Sequence, residues 1–126
     1  MSKPQILIVD DEDALRFLLK SELEEEAFQV ESAGDGDEAI DLIRAKSEKG
    51  DKFDVMLLDI RMPRVGGFEV LKFVKSISPD TKVIMVTVHN ELENAIQSMR
   101  LGASDFISKP YDLNEILTSI NRVLGK

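Results

Sequence analysis

Three short runs, Ile6–Val9, Val55–Leu58 and Val83–Val86, are apolar at every position. A strand with one face in water alternates polar and apolar side chains, so unbroken runs of this length fit strands covered on both faces, as inside a parallel sheet. The stretches between them carry apolar residues at helical spacing, and strands alternating with helices imply right-handed βαβ crossovers. The expected fold is α/β: a doubly wound, five-stranded parallel sheet with five flanking helices.

Taken in order, Gln5–Val9 is the first strand, and Ala14 to about Glu26 the first helix, with Leu15, Leu18, Leu19 and Leu23 on one stripe and Phe17 off it. Phe28–Ser32 alternates and reads as a more exposed strand at a sheet edge. Gly34-Asp35-Gly36 is a turn, because it lacks the full G-x-G-x-x-G spacing of a nucleotide-binding loop. A second helix runs from Asp37 to about Lys46, with Ala39, Ile40, Leu42 and Ile43 inward, and Ser47–Asp51 is a polar linker. The third strand, Phe53–Leu58, delivers Asp59. The third helix begins near Gly67 and carries Phe68, Leu71, Val74 and Ile77 until Ser78-Pro79-Asp80 stops it. Lys82–Thr87 is the fourth strand; Asn90 caps a fourth helix whose stripe is Leu92, Ala95, Ile96 and Met99, closed by Leu101-Gly102. Ser104–Ser108 is the fifth strand, followed by Lys109-Pro110, and Asp112 opens the last helix, with Leu113, Ile116, Leu117, Ile120 and Leu124 inside.

The 126 residues suit one domain, 1–126, with a single sheet-centred core. A net charge of −8 argues against direct contact with a nucleic-acid backbone through this chain. No apolar run approaches a membrane span, and the opening Met-Ser-Lys-Pro is too short and polar for a signal peptide. The chain has no cysteine, which excludes disulfides and thiolate chemistry and agrees with a cytoplasmic location.

Parallel strands bring their carboxyl ends to one edge of the sheet, where open α/β folds place their sites. The exits here carry Asp10 and Asp11, then Asp59, then Thr87, then Lys109. An aspartate at a strand exit is ordinarily a turn former or helix cap, and an isolated threonine or lysine there is ordinarily a surface group. Their convergence is the signal. Three carboxylates held together raise one another's pKa unless a cation sits among them. Hard oxygen ligands favour Mg2+, with Mn2+ as an alternative, over zinc, since His89 is the only imidazole. A carboxylate beside such an ion, with a hydroxyl and an ammonium near, is equipped to accept a phosphoryl group.

Val9-Asp10-Asp11-Glu12, Leu58-Asp59-Ile60-Arg61-Met62-Pro63, Thr87 and Lys109-Pro110 closely resemble the receiver domain of two-component response regulators, over Lys3 to Leu124. The resemblance implies a flavodoxin-like sheet in order 2-1-3-4-5, with the first and fifth helices on one face and the others opposite. It makes Asp59 the phosphoacceptor, and places Asp10, Asp11, Asp59 and the Arg61 backbone carbonyl at the metal. Thr87 and Lys109 bind the phosphoryl group, the Lys109-Pro110 bond is cis, and Phe106 occupies the switch-aromatic position. The implied donor is a sensor histidine kinase or phosphotransfer protein, and the reader a downstream protein or output domain contacted through the fourth helix, fifth strand and fifth helix. The chain is then an acceptor that phosphorylates and dephosphorylates itself, not an enzyme turning over external substrates. It serves either alone or as the N-terminal part of a longer regulator, and homodimerisation through the same face is compatible. The plain alternative for Phe106 is a core aromatic.

Arg61 and His89, each two residues beyond a site residue, are expected to flank the phosphoryl group and modulate attack by water; the alternative is that both face solvent. Val88 stands where a small residue is usual in the family and is expected to crowd Thr87 or the site entrance. Gly66 replaces an acidic or amide residue and concerns loop geometry. A haloacid dehalogenase-type phosphohydrolase would need a second aspartate where Arg61 stands. A flavin binder would need a hydroxyl-rich phosphate loop where Asp10–Asp13 lie.

Overall fold

A computed structural model of the protein describes residues 3–88 and 92–126. The strands are β1 (Gln5–Val9), β2 (Gln29–Ala33), β3 (Val55–Asp59), β4 (Lys82–Val88) and β5 (Asp105–Lys109). Between and after them lie α1 (Asp13–Glu25), α2 (Gly36–Glu48), α3 (Gly67–Ile77), α4 (Leu92–Arg100) and α5 (Leu113–Val123). All strand pairs are parallel, in the order β2-β1-β3-β4-β5. The doubly wound fold expected from the sequence is therefore present, with β2 at an edge.

The central strand explains the architecture. All five residues of β3 are buried, so both of its faces need a cover. Strand side chains alternate between faces, and the core divides accordingly. Ile6, Ile8, Val55, Leu57, Ile84 and Ile107 pack with Leu19 and Leu23 of α1 and Ile116 and Ile120 of α5. Leu7, Val9, Met56, Leu58, Val83 and Met85 pack with residues of α2 and α3 on the opposite face. Helix α4 stands against β4 and β5.

Helix boundaries follow their caps. Asp35 starts α2 by accepting the Glu38 amide at 2.8 Å, one residue earlier than the apolar pattern suggests. That helix also continues through Ser47 and Glu48, so the polar linker begins only at its C-cap, Lys49. Asp112 and Glu115 form a reciprocal capping box on α5. At the end of β3 the chain is pinched: a Cβ on Gly67 would overlap the Asp59 carbonyl oxygen and lie 2.7 Å from Ile60 Cα. Only glycine lets α3 start so close to the strand exit.

Three assignments change. Leu18 is exposed beside the more exposed Phe17, leaving Leu19 and Leu23 as the buried positions of α1. Ile77 is exposed, and Val70 takes its place in the α3 core. Among the described side chains of α4 the buried positions are Ala95 and Ser98, whereas Ile96 and Met99 face outward. Asn90, the expected cap of that helix, and His89 lie outside the described residues.

The packing sets a contrast measurable by urea unfolding. Leu58→Ala, at a fully buried position of β3, is expected to lower stability by about 2–5 kcal/mol through lost contacts and a residual cavity. Leu18→Ala, on the exposed side of α1, should change it by less than about 0.5 kcal/mol.

Candidate functional site

Strand register assembles the site. Val9 pairs with Leu58 on adjacent strands, so the next residues, Asp10 and Asp59, leave the sheet side by side. Both are buried, at 6% and 7% exposure, while Asp11 is exposed. One carboxylate oxygen from each of Asp10, Asp11 and Asp59 can be chosen so that all three lie within 4.8 Å of one another. Lys109, at the end of β5, reaches back across β4: its Nζ lies 3.1 Å from Asp10 Oδ2, 3.5 Å from Asp59 Oδ2 and 3.8 Å from Glu12 Oε1. Thr87 is buried on β4, one residue beyond Val86, the register partner of Asp59. The expected exit residues thus share one rim.

Backbone amides complete the first layer. Arg61 N–H donates to Asp59 Oδ1 at 3.2 Å, and Glu12 N–H donates to Asp10 Oδ1 at 2.9 Å. The Arg61 side chain is exposed. Val88, opposite Lys109 in the register, is also exposed. Phe106 is 37% exposed on β5, so it is not a core aromatic. The Lys109–Pro110 peptide bond is cis.

Burial is the larger cause of the unusual electrostatics. It pushes the Asp59 carboxyl up to about 6; Lys109 opposes the shift, and the Asp10 and Asp11 charges add to it. Mutual repulsion of the carboxylates, the cause foreseen from sequence, is therefore secondary to desolvation. For Lys109, burial works against the ammonium, but the Asp10 hydrogen bond and the charges of Asp59, Asp10 and Glu12 outweigh it and hold the pKa above its ordinary value. The donor set fits a hard divalent cation. Two ligands about 2.1 Å from one ion stand at most about 4.2 Å apart, so the three carboxylates need only small movements to share it.

Two residues not singled out from the sequence belong to this region. Arg16 donates to the Asp10 carbonyl at 2.7 Å and to Asp13 Oδ1 at 2.6 Å, tying α1 to the loop that presents Asp10. Its six-residue separation from Asp10 gives no periodic signal. Tyr111 lines an apolar recess with Leu15, Lys109 and Pro110. Burial, and then the nearby Asp10 charge, push its phenol up to about 12.

The sequence matches the response regulator receiver domain over residues 6–121. The chain belongs to this family. Receiver domains are phosphorylation-dependent switches of two-component signalling. This receiver is 38% identical to Regulatory protein AtoC of Escherichia coli over 120 residues, which cover 95% of the chain and 25% of that protein. It is 34% identical to Sporulation initiation phosphotransferase F of Bacillus subtilis over 124 residues, 98% of this chain and 96% of that one. It spans 51% of the response regulator MprA of Mycolicibacterium vanbaalenii, so its relatives include proteins of similar size and much longer ones. A receiver domain protein from Clostridium thermocellum superposes with a TM-score of 0.86 at 31% identity, covering 96% of this chain and 94% of the other. Among the described residues, no helix is long and apolar enough to cross a membrane.

The raised pKa of Asp59 has a definite sign. The folded receiver holds that proton more tightly than the unfolded chain, so the associated stability is complete below about pH 4 and is lost as pH rises through about 6. With divalent ions chelated, Asp59→Asn is expected to be more stable than the parent by about 1–3 kcal/mol at about pH 7. The gap should close towards about pH 4, as read by urea unfolding. A gap that persists at acid pH would mean that packing, not ionisation, separates the two proteins.

Proposed function

We propose that this receiver accepts a phosphoryl group on Asp59 from the phosphohistidine of a sensor histidine kinase or phosphotransfer protein. The observation that carries this reading is the meeting of Lys109, Asp10 and Asp59, which come from three strands and converge at 3.1 and 3.5 Å. An ammonium placed there balances the negative charge that gathers as a phosphoryl group arrives. The Asp59 pKa of about 6 leaves the carboxylate mostly ionised at neutral pH and hence nucleophilic. A cytoplasmic location accompanies this reading.

In the transfer, an Asp59 oxygen attacks phosphorus and forms an acyl phosphate. The phosphorus–nitrogen bond of the donor breaks, and its electron pair remains on the donor imidazole. Asp10, Asp11, Asp59 and the Arg61 carbonyl would hold Mg2+, or Mn2+ in its place. A bound divalent ion supplies charge neutralisation at the phosphoryl oxygens. Lys109 neutralises a further oxygen, and the Thr87 hydroxyl donates to another. The Arg61 amide, already bonded to Asp59, orients the attacking carboxylate. The chain acts as a self-phosphorylating and self-dephosphorylating acceptor, with the Arg61 side chain and His89 setting access of water. Exchanging both should alter the rate of acyl-phosphate loss; an unchanged rate would remove that role.

Output runs through the face of α4, β5 and α5. Drawing in Thr87 leaves room for the half-exposed Phe106 ring to turn. Each new charge-assisted hydrogen bond contributes roughly 1.5–3 kcal/mol, whereas inverting a 1:99 equilibrium takes about 5.5 kcal/mol. Phosphorylation therefore biases the domain, and contact with a downstream protein, an output domain or a second copy completes the shift. No direct nucleic-acid contact is assigned to this acidic chain.

Intact-mass measurement after incubation with Mg2+ and acetyl phosphate tests the acceptor. The parent should gain one phosphoryl group and Asp59→Asn none. Lys109→Met should slow the reaction by about 10²-fold, the usual loss on removing one preorganised charge. An adduct on Asp59→Asn would place the acceptor elsewhere.

A further inference from the structure

The loop that follows Asp59 is fastened to the start of α2, far away in sequence. Arg64 occupies this loop at φ +63, a left-handed conformation that residues with a side chain rarely adopt. Its guanidinium faces two carboxylates: Nη2 lies 3.3 Å from Asp35 Oδ2 and Nε 3.5 Å from Asp37 Oδ2. Asp35 uses its other oxygen, Oδ1, to cap α2, so Arg64 takes the oxygen that capping leaves over. The next loop residue, Val65, lies against Gly36. A Cβ on Gly36 would overlap the Val65 carbonyl oxygen and stand 2.8 Å from Val65 Cβ.

Gly36 is the first residue of α2, where alanine would serve helix formation better. The close approach of the loop, rather than its own backbone, is what requires glycine. On either side of the loop the backbone is anchored separately: Ile60 N–H donates to the Val86 carbonyl at 3.1 Å, and Gly67 N–H to the Ile60 carbonyl at 3.0 Å. Between those anchors, the contact with α2 restrains the chain that contains the Arg61 amide bonded to Asp59.

We propose that Arg64 and Gly36 form a clamp that positions residues 61–66 beside Asp59, with Arg64 as a positioning residue for the phosphoacceptor. The clamp stands on the contacts given above; only its consequence for cation binding rests on the function proposed above. Both ion pairs are solvent-exposed, and such pairs contribute little to global stability. A loop opens locally without global unfolding, so the pairs act on the loop population instead.

Amide hydrogen exchange on chelated protein tests the clamp directly. Arg64→Ala should accelerate exchange at the amides of residues 61, 62 and 64–66 by about three- to tenfold with little change in thermal midpoint, whereas Arg64→Lys should stay within about twofold of the parent. Arg64→Gly removes the side chain while relieving the positive φ, and it should exchange as fast as Arg64→Ala. Gly36→Ala should loosen the same segment despite its better helix propensity. Raising salt to about 0.5 M should bring the parent towards Arg64→Ala. Calorimetric titration with Mg2+ should show about threefold weaker binding to Arg64→Ala. Parental exchange in Arg64→Ala would overturn the proposal, and so would parental exchange in Arg64→Gly, which would assign the loop order to backbone conformation alone. Acetyl-phosphate labelling of Asp59 is read separately by mass, so failure of the acceptor reading would leave the exchange result standing.

Discussion

Two carboxylates on neighbouring strands, both withdrawn from water, are an unfavourable arrangement unless a positive charge meets them. Here the Lys109 ammonium supplies that charge, between Asp10 and Asp59. Removing the lysine would leave both buried carboxylates without their counter-charge, so β5 and its terminal lysine are tied to the exits of β1 and β3. The compensation is incomplete. Asp59 keeps a pKa of about 6, which records residual strain against the ionised state. A cation held among these carboxylates would relieve that cost.

The same economy appears around the loops. Arg16 bonds to the carbonyl of Asp10, and Arg64 ties the loop after Asp59 to α2. Gly67 permits α3 to begin directly above the Asp59 carbonyl. The exits of β1 and β3 are thus each braced by a neighbour outside the sheet. Preorganisation of this kind matters because phosphoryl transfer depends mostly on positioning and electrostatics.

What could be read from the chain follows from where physical information is stored in it. The uniform apolar runs identify β1, β3 and β4 without reference to the rest, and once those strands are parallel their exits must share an edge. Asp10, Asp59 and Thr87 are legible for that reason. Helical periodicity is less informative, because it shows that a stripe exists but not which neighbour it meets. Leu18, Ile77, Ile96 and Met99 all satisfy a helical pattern and all face outward. Gly36 reads as a turn residue until the position of Val65 is known. Arg64 carries no sequence signal at all, since its left-handed backbone and its two carboxylate partners arise from tertiary contact. The ordering of causes at Asp59 also required structure: sequence reveals neighbouring charges but not desolvation.

The outward-facing residues of α4 have a physical consequence of their own. A helix is held to a sheet mainly by the apolar area it buries, at roughly 25 cal/mol per Å². The described buried positions of α4 are the small residues Ala95 and Ser98, and Ser98 bonds back to the Asn94 carbonyl within the helix. The large residues Ile96 and Met99 contribute little to that attachment. By contrast α5 buries Ile116 and Ile120 completely and carries a capping box. Counting only the described side chains, sliding or turning α4 therefore sacrifices less apolar contact than moving α5 would, and small helix shifts are a common means of switching. With Ile96, Met99 and Phe106 already facing water, such a shift would rearrange an apolar surface that a partner can read without first having to expose it.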